Sequence, residues 1–82
     1  MIARPHPVTI LVVDKQSWVR NLIRRMLTSV GYAVLEAPTA EQAMIVAERH
    51  IGEIDLLLTE VMLPDMNGVD LAYCLGGVMK VL

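Results

Sequence analysis

The stretch that most constrains the fold is a short apolar run that ends on one acid. Residues 54–68 read Ile-Asp-Leu-Leu-Leu-Thr-Glu-Val-Met-Leu-Pro-Asp-Met-Asn-Gly. An apolar run that does not alternate is typical of a central strand in a parallel sheet, because both faces of such a strand are covered. Glu60 is therefore predicted to lie at the carboxyl end of a strand, which is the edge of an open α/β sheet where ligands bind.

The rest of the chain alternates strand-like and helix-like patterns. Besides the run before Glu60, strands are predicted at residues 8–13, 32–37 and, as the start of a fourth strand, 78–82. Helices are predicted at residues 17–30, 40–50 and 69–75. The first strand ends at Asp14, so a second acid is expected at the same sheet edge, and Thr39 is the predicted N-cap of the second helix. This order predicts an α/β fold with a parallel sheet.

The predicted helix at 17–30 has a wide apolar face. Apolar residues recur there at spacings of three and four, which is the period of an amphipathic helix. They are Val19, Leu22, Ile23, Met26, Leu27 and Val30. We expect this face to be buried against the sheet. Arg20, Arg24 and Arg25 fall outside it and are predicted to form a solvated helix face.

Composition excludes several classes of function. The formal net charge is −2 and the basic residues are dispersed, so the sequence has no basic patch of the kind that binds nucleic acids. No apolar run approaches the roughly 20 residues that a membrane-spanning helix needs. A single cysteine, Cys74, cannot form an internal disulfide, so a reducing compartment and a cytoplasmic location are expected. At 82 residues the chain is predicted to be one domain, residues 8–82, after a flexible leader at residues 1–7.

Three segments together resemble the receiver domain of two-component response regulators and hybrid histidine kinases. They are Ile-Leu-Val-Val-Asp at 10–14, Val-Gly-Tyr-Ala-Val-Leu-Glu-Ala at 30–37 and the segment at 55–68. The resemblance implies a flavodoxin-like three-layer sandwich with a parallel sheet of order 2-1-3-4-5, an order that receiver proteins themselves illustrate. For this chain it implies the order 2-1-3-4, incomplete after the fourth strand.

The resemblance also implies a site and its chemistry. In receiver domains a pair of acids follows the first strand, and an aspartate after the third strand accepts a phosphoryl group from a phosphohistidine with a divalent ion bound nearby. Asp14 matches the first acid, and Lys15 stands where the second belongs. Glu60 stands at the phosphoacceptor position, and Met62 matches the residue whose main-chain carbonyl binds the metal.

Lys15 and Glu60 depart from the receiver pattern in the same direction. The lysine places a positive charge where a cation would bind, which predicts weak or absent Mg²⁺ binding. The glutamate moves the carboxylate by one methylene, which disfavours an in-line phosphoryl transfer. Three interpretations stay open: the Lys15 ammonium pairs with Glu60 in place of the metal, the site has decayed without a role, or Glu60 is an altered phosphoacceptor.

The sequence favours a degenerate receiver-like regulatory and protein-interaction module of phosphorelay signalling, not an enzyme, with no cofactor. The alternative is an active receiver that accepts a phosphoryl group at Glu60 from a histidine kinase and binds Mg²⁺. Expected partners are a histidine kinase, a phosphotransfer protein, or a second copy paired through an exposed edge of the 78–82 strand. Trp18 either anchors a partner beside the site or packs on Leu22. A stand-alone hydrolase is not supported, because no nucleophile and base pair is recognisable.

Overall fold

The computed structural model describes residues 7–76, and within this range three strands alternate with three helices. The strands are β1 (Thr9–Val13), β2 (Ala33–Ala37) and β3 (Leu56–Thr59). The helices are α1 (Ser17–Ser29), α2 (Ala40–Arg49) and α3 (Gly68–Cys74). The predicted fourth strand at 78–82 lies outside the described residues, as does the predicted leader apart from Pro7.

Strand β1 is the centre of a parallel sheet whose described strands have the order β2-β1-β3. Leu11 of β1 pairs with Leu35 on one side and with Leu57 on the other. Every residue of β1 is buried, because a strand flanks it on each side and helices cover both faces. The predicted parallel α/β sheet is confirmed over these three strands.

The main core lies between the sheet and helices α2 and α3. Leu11 and Leu57 of the sheet are fully buried there together with Leu71 of α3. Helix α2 contributes Ala40 and Ala43, whose small side chains let the helix approach the sheet closely. Burial of a leucine side chain contributes about 1.5–3 kcal/mol, so these leucines supply a large part of the stability of a domain this small.

Helix α1 covers the opposite face of the sheet, and its burial differs from the sequence prediction. It packs over β2 and β1, and none of its residues is buried. Leu22, Met26 and Val30, predicted to lie on a buried face, are 51%, 61% and 69% exposed. Val19, Ile23 and Leu27 are half-buried, so the described part of the chain covers only part of the predicted apolar face.

The helix termini follow local rules. The Thr39 hydroxyl caps α2 by accepting a hydrogen bond from the Gln42 main-chain N–H at 3.1 Å, as predicted. Gly31 follows the end of α1 with a φ of +97°, the left-handed conformation that favours glycine. Among residues 7–76 no helix combines the length and the apolar character needed to cross a bilayer.

Candidate functional site

The site lies at the carboxyl ends of β1 and β3, which are neighbours in the sheet. Asp14 directly follows β1, and its main-chain N–H bonds to the Ala37 carbonyl oxygen at 3.2 Å. Its side-chain Oδ1 accepts a hydrogen bond from the Gln16 N–H at 2.8 Å and so shapes the turn into α1. The half-buried Asp14 carboxylate thus has a local structural role at the position matched to a receiver acid.

Glu60 reaches from the end of β3 to the turn after β1. Its main-chain N–H continues the sheet by bonding to the Val13 carbonyl oxygen at 3.1 Å. Its side-chain Oε1 accepts a hydrogen bond from the main-chain N–H of Lys15 at 2.8 Å. The two residues that depart from the receiver pattern are therefore in contact, and the contact fixes one carboxylate oxygen of Glu60 on the backbone.

Among residues 7–76 no ion pair joins the Lys15 ammonium to Glu60, which was one of the three interpretations left open. Lys15 is exposed, and within residues 7–76 the ion pairs found do not include its ammonium group. The contact found between the two residues is instead made by the Lys15 main chain, which the glutamate side chain is long enough to reach.

The loop after β3 is held close to Glu60 by Gly68. The N–H of Gly68 bonds to the Val61 carbonyl oxygen at 2.7 Å, and Met62 forms an isolated bridge with Asn67 across the loop. A Cβ atom on Gly68 would lie 2.4 Å from the Glu60 carbonyl oxygen. This close approach requires glycine and sets the path of the loop. The Met62 side chain is 78% exposed.

Asp65 links this loop to helix α2, a contact that sequence reasoning missed. Its two carboxylate oxygens accept hydrogen bonds from the main-chain N–H groups of Glu41 and Ala40, each at 3.0 Å. These hydrogen bonds at a helix N-terminus favour the ionised form and lower the pKa of Asp65 below its usual value. The loop that carries Met62 is thereby tied to α2 by an ionised carboxylate.

Two of the three arginines of α1 are paired, which corrects the prediction of a solvated face. Arg24 lies 3.1 Å and Arg20 3.7 Å from the Glu36 carboxylate of β2. Arg20 also donates a hydrogen bond to the Asp14 carbonyl oxygen at 2.5 Å. The side chain of Arg20 is only 16% exposed. The pairing anchors α1 to β2 and to the turn that carries Asp14.

Trp18 lies in the first turn of α1, close in sequence to Lys15, and is 66% exposed. This exposure argues against the interpretation in which the ring packs into the core beside Leu22, which is itself half exposed. The alternative interpretation of Trp18 as an exposed contact for a partner stays a prediction.

The oxygen donors found at this site are few. Within the described part of the chain no group of three or more His, Cys, Asp or Glu residues is placed to hold a metal ion. Asp14 and Glu60 offer two carboxylates, but one oxygen of each accepts a main-chain hydrogen bond. A hard cation such as Mg²⁺ requires near-octahedral oxygen ligands, and the exposed Lys15 ammonium opposes it electrostatically.

Comparison with known proteins places these features in a family. Residues 10–76 match the family model described as the response regulator receiver domain. The chain is 38% identical over 65 residues to the phosphate regulon transcriptional regulatory protein PhoB of Pseudomonas aeruginosa, covering 78% of this chain and 27% of PhoB. It is 40% identical over 62 residues to a 14.6 kDa protein of Leptolyngbya boryana, of which it covers 46%. The chain thus spans less than half the length of these relatives.

Solved receiver structures share the fold. The receiver domain of the hybrid histidine kinase CckA is 38% identical, with a TM-score of 0.79 over 89% of this chain and 70% of that domain. The response regulator TrrA of Thermotoga maritima, solved in complex with Mg²⁺ and BeF, is 26% identical, with a TM-score of 0.77 over 90% of this chain and 65% of that one. The flavodoxin-like prediction is confirmed by this similarity and by the parallel sheet.

Proposed function

Because the chain belongs to the response regulator receiver domain family, we propose that it is a degenerate member: a regulatory protein-interaction module of two-component signalling that is not phosphorylated. It acts by presenting the receiver surface to a protein partner, without catalysis and without a bound cofactor. The partners that fit the family are a histidine kinase or a phosphotransfer protein, and the setting is the cytoplasm.

The observation that carries this proposal is the hydrogen bond from the Lys15 main-chain N–H to Glu60 Oε1 at 2.8 Å. Phosphoryl transfer depends on positioning and on electrostatic stabilisation far more than on covalent catalysis by the protein. A carboxylate oxygen that accepts a hydrogen bond from the backbone is less nucleophilic, because the N–H neutralises part of its charge. The Glu60 carboxylate therefore stabilises the turn at Lys15 and not a transition state.

The charge beside the site supports the same conclusion. In a receiver the cation neutralises the phosphoryl oxygens, and clustered carboxylates attract it. Here Lys15 stands in place of the second acid, so the summed charge of the three matched side chains is −1 instead of the −3 of three carboxylates. A fixed ammonium group in solvent near the two remaining acids lowers the local cation concentration and weakens any Mg²⁺ site.

Magnesium titration tests this proposal. The fluorescence of Trp18, the single tryptophan, and titration calorimetry are followed for the unaltered chain, for Asp14→Ala and for the double variant Lys15→Asp with Glu60→Asp. We expect no saturable Mg²⁺ binding to the unaltered chain in the millimolar range and measurable binding to the double variant. Saturable binding to the unaltered chain that Asp14→Ala abolishes would contradict the proposal.

A second candidate function, an active receiver, is favoured by one observation. Among the described residues no hydrogen bond to Glu60 Oε2 is found, so this oxygen is available. In that case Oε2 would form the new O–P bond as the N–P bond of a phosphohistidine breaks. Hydroxylamine would cleave the resulting acyl phosphate, and the Glu60→Gln variant would not form it. The favoured proposal predicts no phosphoryl adduct on the unaltered chain.

A further inference from the structure

The β3–α3 loop, residues 60–67, ends at an asparagine that a glycine follows, Asn67-Gly68. Asparagine is thermolabile, because the main-chain nitrogen of the next residue can attack its side-chain amide. Glycine hinders this attack least, since it has no Cβ. The other asparagine in the sequence, Asn21, precedes the bulkier Leu22 within α1. Asn67 is therefore the asparagine at which the sequence favours spontaneous modification.

The reaction converts the Asn67 amide to a carboxylate and needs only a base and water. The base removes the proton of the Gly68 N–H, and the nitrogen forms a bond to Asn67 Cγ. The bond from Cγ to the amide nitrogen then breaks, and this nitrogen takes up a proton and leaves as ammonia. Water opens the resulting succinimide at either carbonyl, which gives aspartate or isoaspartate. In isoaspartate the main chain runs through the side chain and is one methylene longer.

The fold covers the nucleophile of this reaction. Gly68 is buried, and its N–H donates a hydrogen bond to the Val61 carbonyl oxygen at 2.7 Å. Removal of this proton in the closed loop would create a buried charge, which is costly. The nitrogen cannot shift alone, because Gly68 lies so close to the Glu60 carbonyl oxygen that an added Cβ would overlap it. The Gly68 nitrogen is thus unreactive while these contacts persist.

Asn67 itself is exposed, but its conformation is not the one that the ring requires. Ring closure needs Cβ, Cα, the carbonyl carbon and the next nitrogen nearly in one plane, and the ψ of 138° at Asn67 places Cβ far from it. The peptide unit between Asn67 and Gly68 must therefore rotate. Its N–H is bonded to Val61 and its carbonyl oxygen accepts a hydrogen bond from the Leu71 N–H at 3.0 Å. Rotation breaks both hydrogen bonds.

Asp65 holds the same loop closed from its other side. Its carboxylate accepts hydrogen bonds from the main-chain N–H groups of Ala40 and Glu41, each at 3.0 Å. Proteins open locally at such loops without unfolding as a whole. A local opening that releases Asp65 from α2 frees the loop to move and exposes Gly68, whereas the central strand β1 stays covered.

We propose that Asn67 is a site of spontaneous conversion to aspartate and isoaspartate that the closed β3–α3 loop blocks and that opening of this loop permits. Because ammonia is lost, the product records that the loop has opened. The longer main chain of isoaspartate displaces Gly68 from its contact with Glu60, so the modified loop cannot close again in the same way. The modification is independent of whether Glu60 accepts a phosphoryl group.

The rate of conversion in the full chain tests the proposal. The native chain and the chain denatured in guanidinium chloride are incubated side by side at mildly alkaline pH. Peptide mapping by mass spectrometry then separates the asparagine, aspartate and isoaspartate forms at position 67. We expect Asn67 to react at least about tenfold more slowly in the native chain, because only the open fraction reacts. In the denatured chain we expect Asn67 to react faster than Asn21.

Variants identify the contact that controls the reaction. Asp65→Ala removes the acceptors that hold the loop on α2, and we expect it to speed the native reaction at least about threefold. Glu36→Gln is the matched control, because it removes carboxylate contacts of β2, on the far side of β1 from the loop. It is expected to leave the rate at Asn67 unchanged. If Asp65→Ala does not fold, Asp65→Asn is used, with position 65 mapped separately.

Two kinds of result would overturn the proposal. In the first, the native chain reacts at Asn67 as fast as the denatured chain, or the denatured chain does not react at Asn67 ahead of Asn21. In the second, the Asp65 variant reacts no faster than the unaltered chain, or Glu36→Gln speeds the reaction equally. The reaction would then follow global unfolding and not the opening of the β3–α3 loop.

Discussion

Substitution of Gly68 by alanine is expected to destabilise the fold strongly. Gly68 is buried at the start of α3, where an added Cβ would lie 2.4 Å from the Glu60 carbonyl oxygen and 2.9 Å from Thr59 Cγ2. A carbon and a carbonyl oxygen normally approach to about 3.3 Å, so α3 or the end of β3 must move by nearly an ångström.

Neither side of this contact moves easily. The Glu60 carbonyl accepts a hydrogen bond from the Thr59 hydroxyl at 2.9 Å, and the Glu60 N–H is held by Val13. Displacement of α3 would open the packing of Leu71, which is fully buried. Overpacking of this kind costs about 1–3 kcal/mol, and we place Gly68→Ala at about 3 kcal/mol because one neighbour is main chain. The helix propensity of alanine offsets at most about 1 kcal/mol.

The net loss of about 2 kcal/mol corresponds to a decrease in Tm of about 8–16 °C for a domain of this size. Urea unfolding monitored by far-UV circular dichroism measures it. Gly31→Ala is the matched control, because Gly31 has a φ of +97° but no atom within 4 Å of an added Cβ. It should cost about 1 kcal/mol. A Gly68→Ala chain that is as stable as the unaltered one, or more stable than Gly31→Ala, would refute the steric reasoning.

Three further changes test other contacts. Asp65→Asn should destabilise the chain at pH 7. Because the pKa of Asp65 is lowered in the folded state, its contribution is present above the ordinary aspartate pKa and is lost as the pH falls through the lowered value. The free energy of unfolding of Asp65→Asn is compared with that of the unaltered chain at pH 7 and at pH 3. An equal difference at the two pH values would show that the ionised Asp65 carboxylate does not stabilise the N-terminus of α2. Leu57→Ala should cost about 2–5 kcal/mol in urea unfolding, because Leu57 is fully buried, whereas Leu22→Ala on the exposed flank of α1 should cost less than about 1 kcal/mol; equal costs would contradict the assigned core. Glu36→Gln should cost no more than about 1 kcal/mol at low salt and less at high salt, since the pairs with Arg20 and Arg24 are partly exposed; a salt-independent loss would argue against an ionic contribution.

The strands and the sheet edge could be predicted from the sequence because their signals are local. The apolar runs before Asp14 and Glu60 are short, bounded by polar residues and rich in strand-forming side chains. Parallel strands end at one edge, so the proximity of the two acids follows from topology. The same topology brings the Lys15 main chain within hydrogen-bond distance of Glu60.

The contacts that prediction missed are those that join residues far apart in sequence. Asp65 is separated from Ala40 by 25 residues, and nothing in the local Leu-Pro-Asp-Met pattern indicates a helix cap. The choice between the ammonium and the main-chain N–H of Lys15 depends on side-chain reach within a folded turn. Helical periodicity marks one apolar face of α1 but does not say which of its residues the sheet covers.

The interpretation of Glu60 as a structural acid is tested most directly by intact-mass spectrometry after incubation with Mg²⁺ and acetyl phosphate. The unaltered chain is compared with Glu60→Asp and with the double variant Lys15→Asp and Glu60→Asp. We predict no phosphoryl adduct on the unaltered chain and an adduct on the double variant, in which the receiver acids are restored. A phosphoryl adduct on the unaltered chain that is absent from Glu60→Gln would contradict this interpretation and establish Glu60 as a phosphoacceptor.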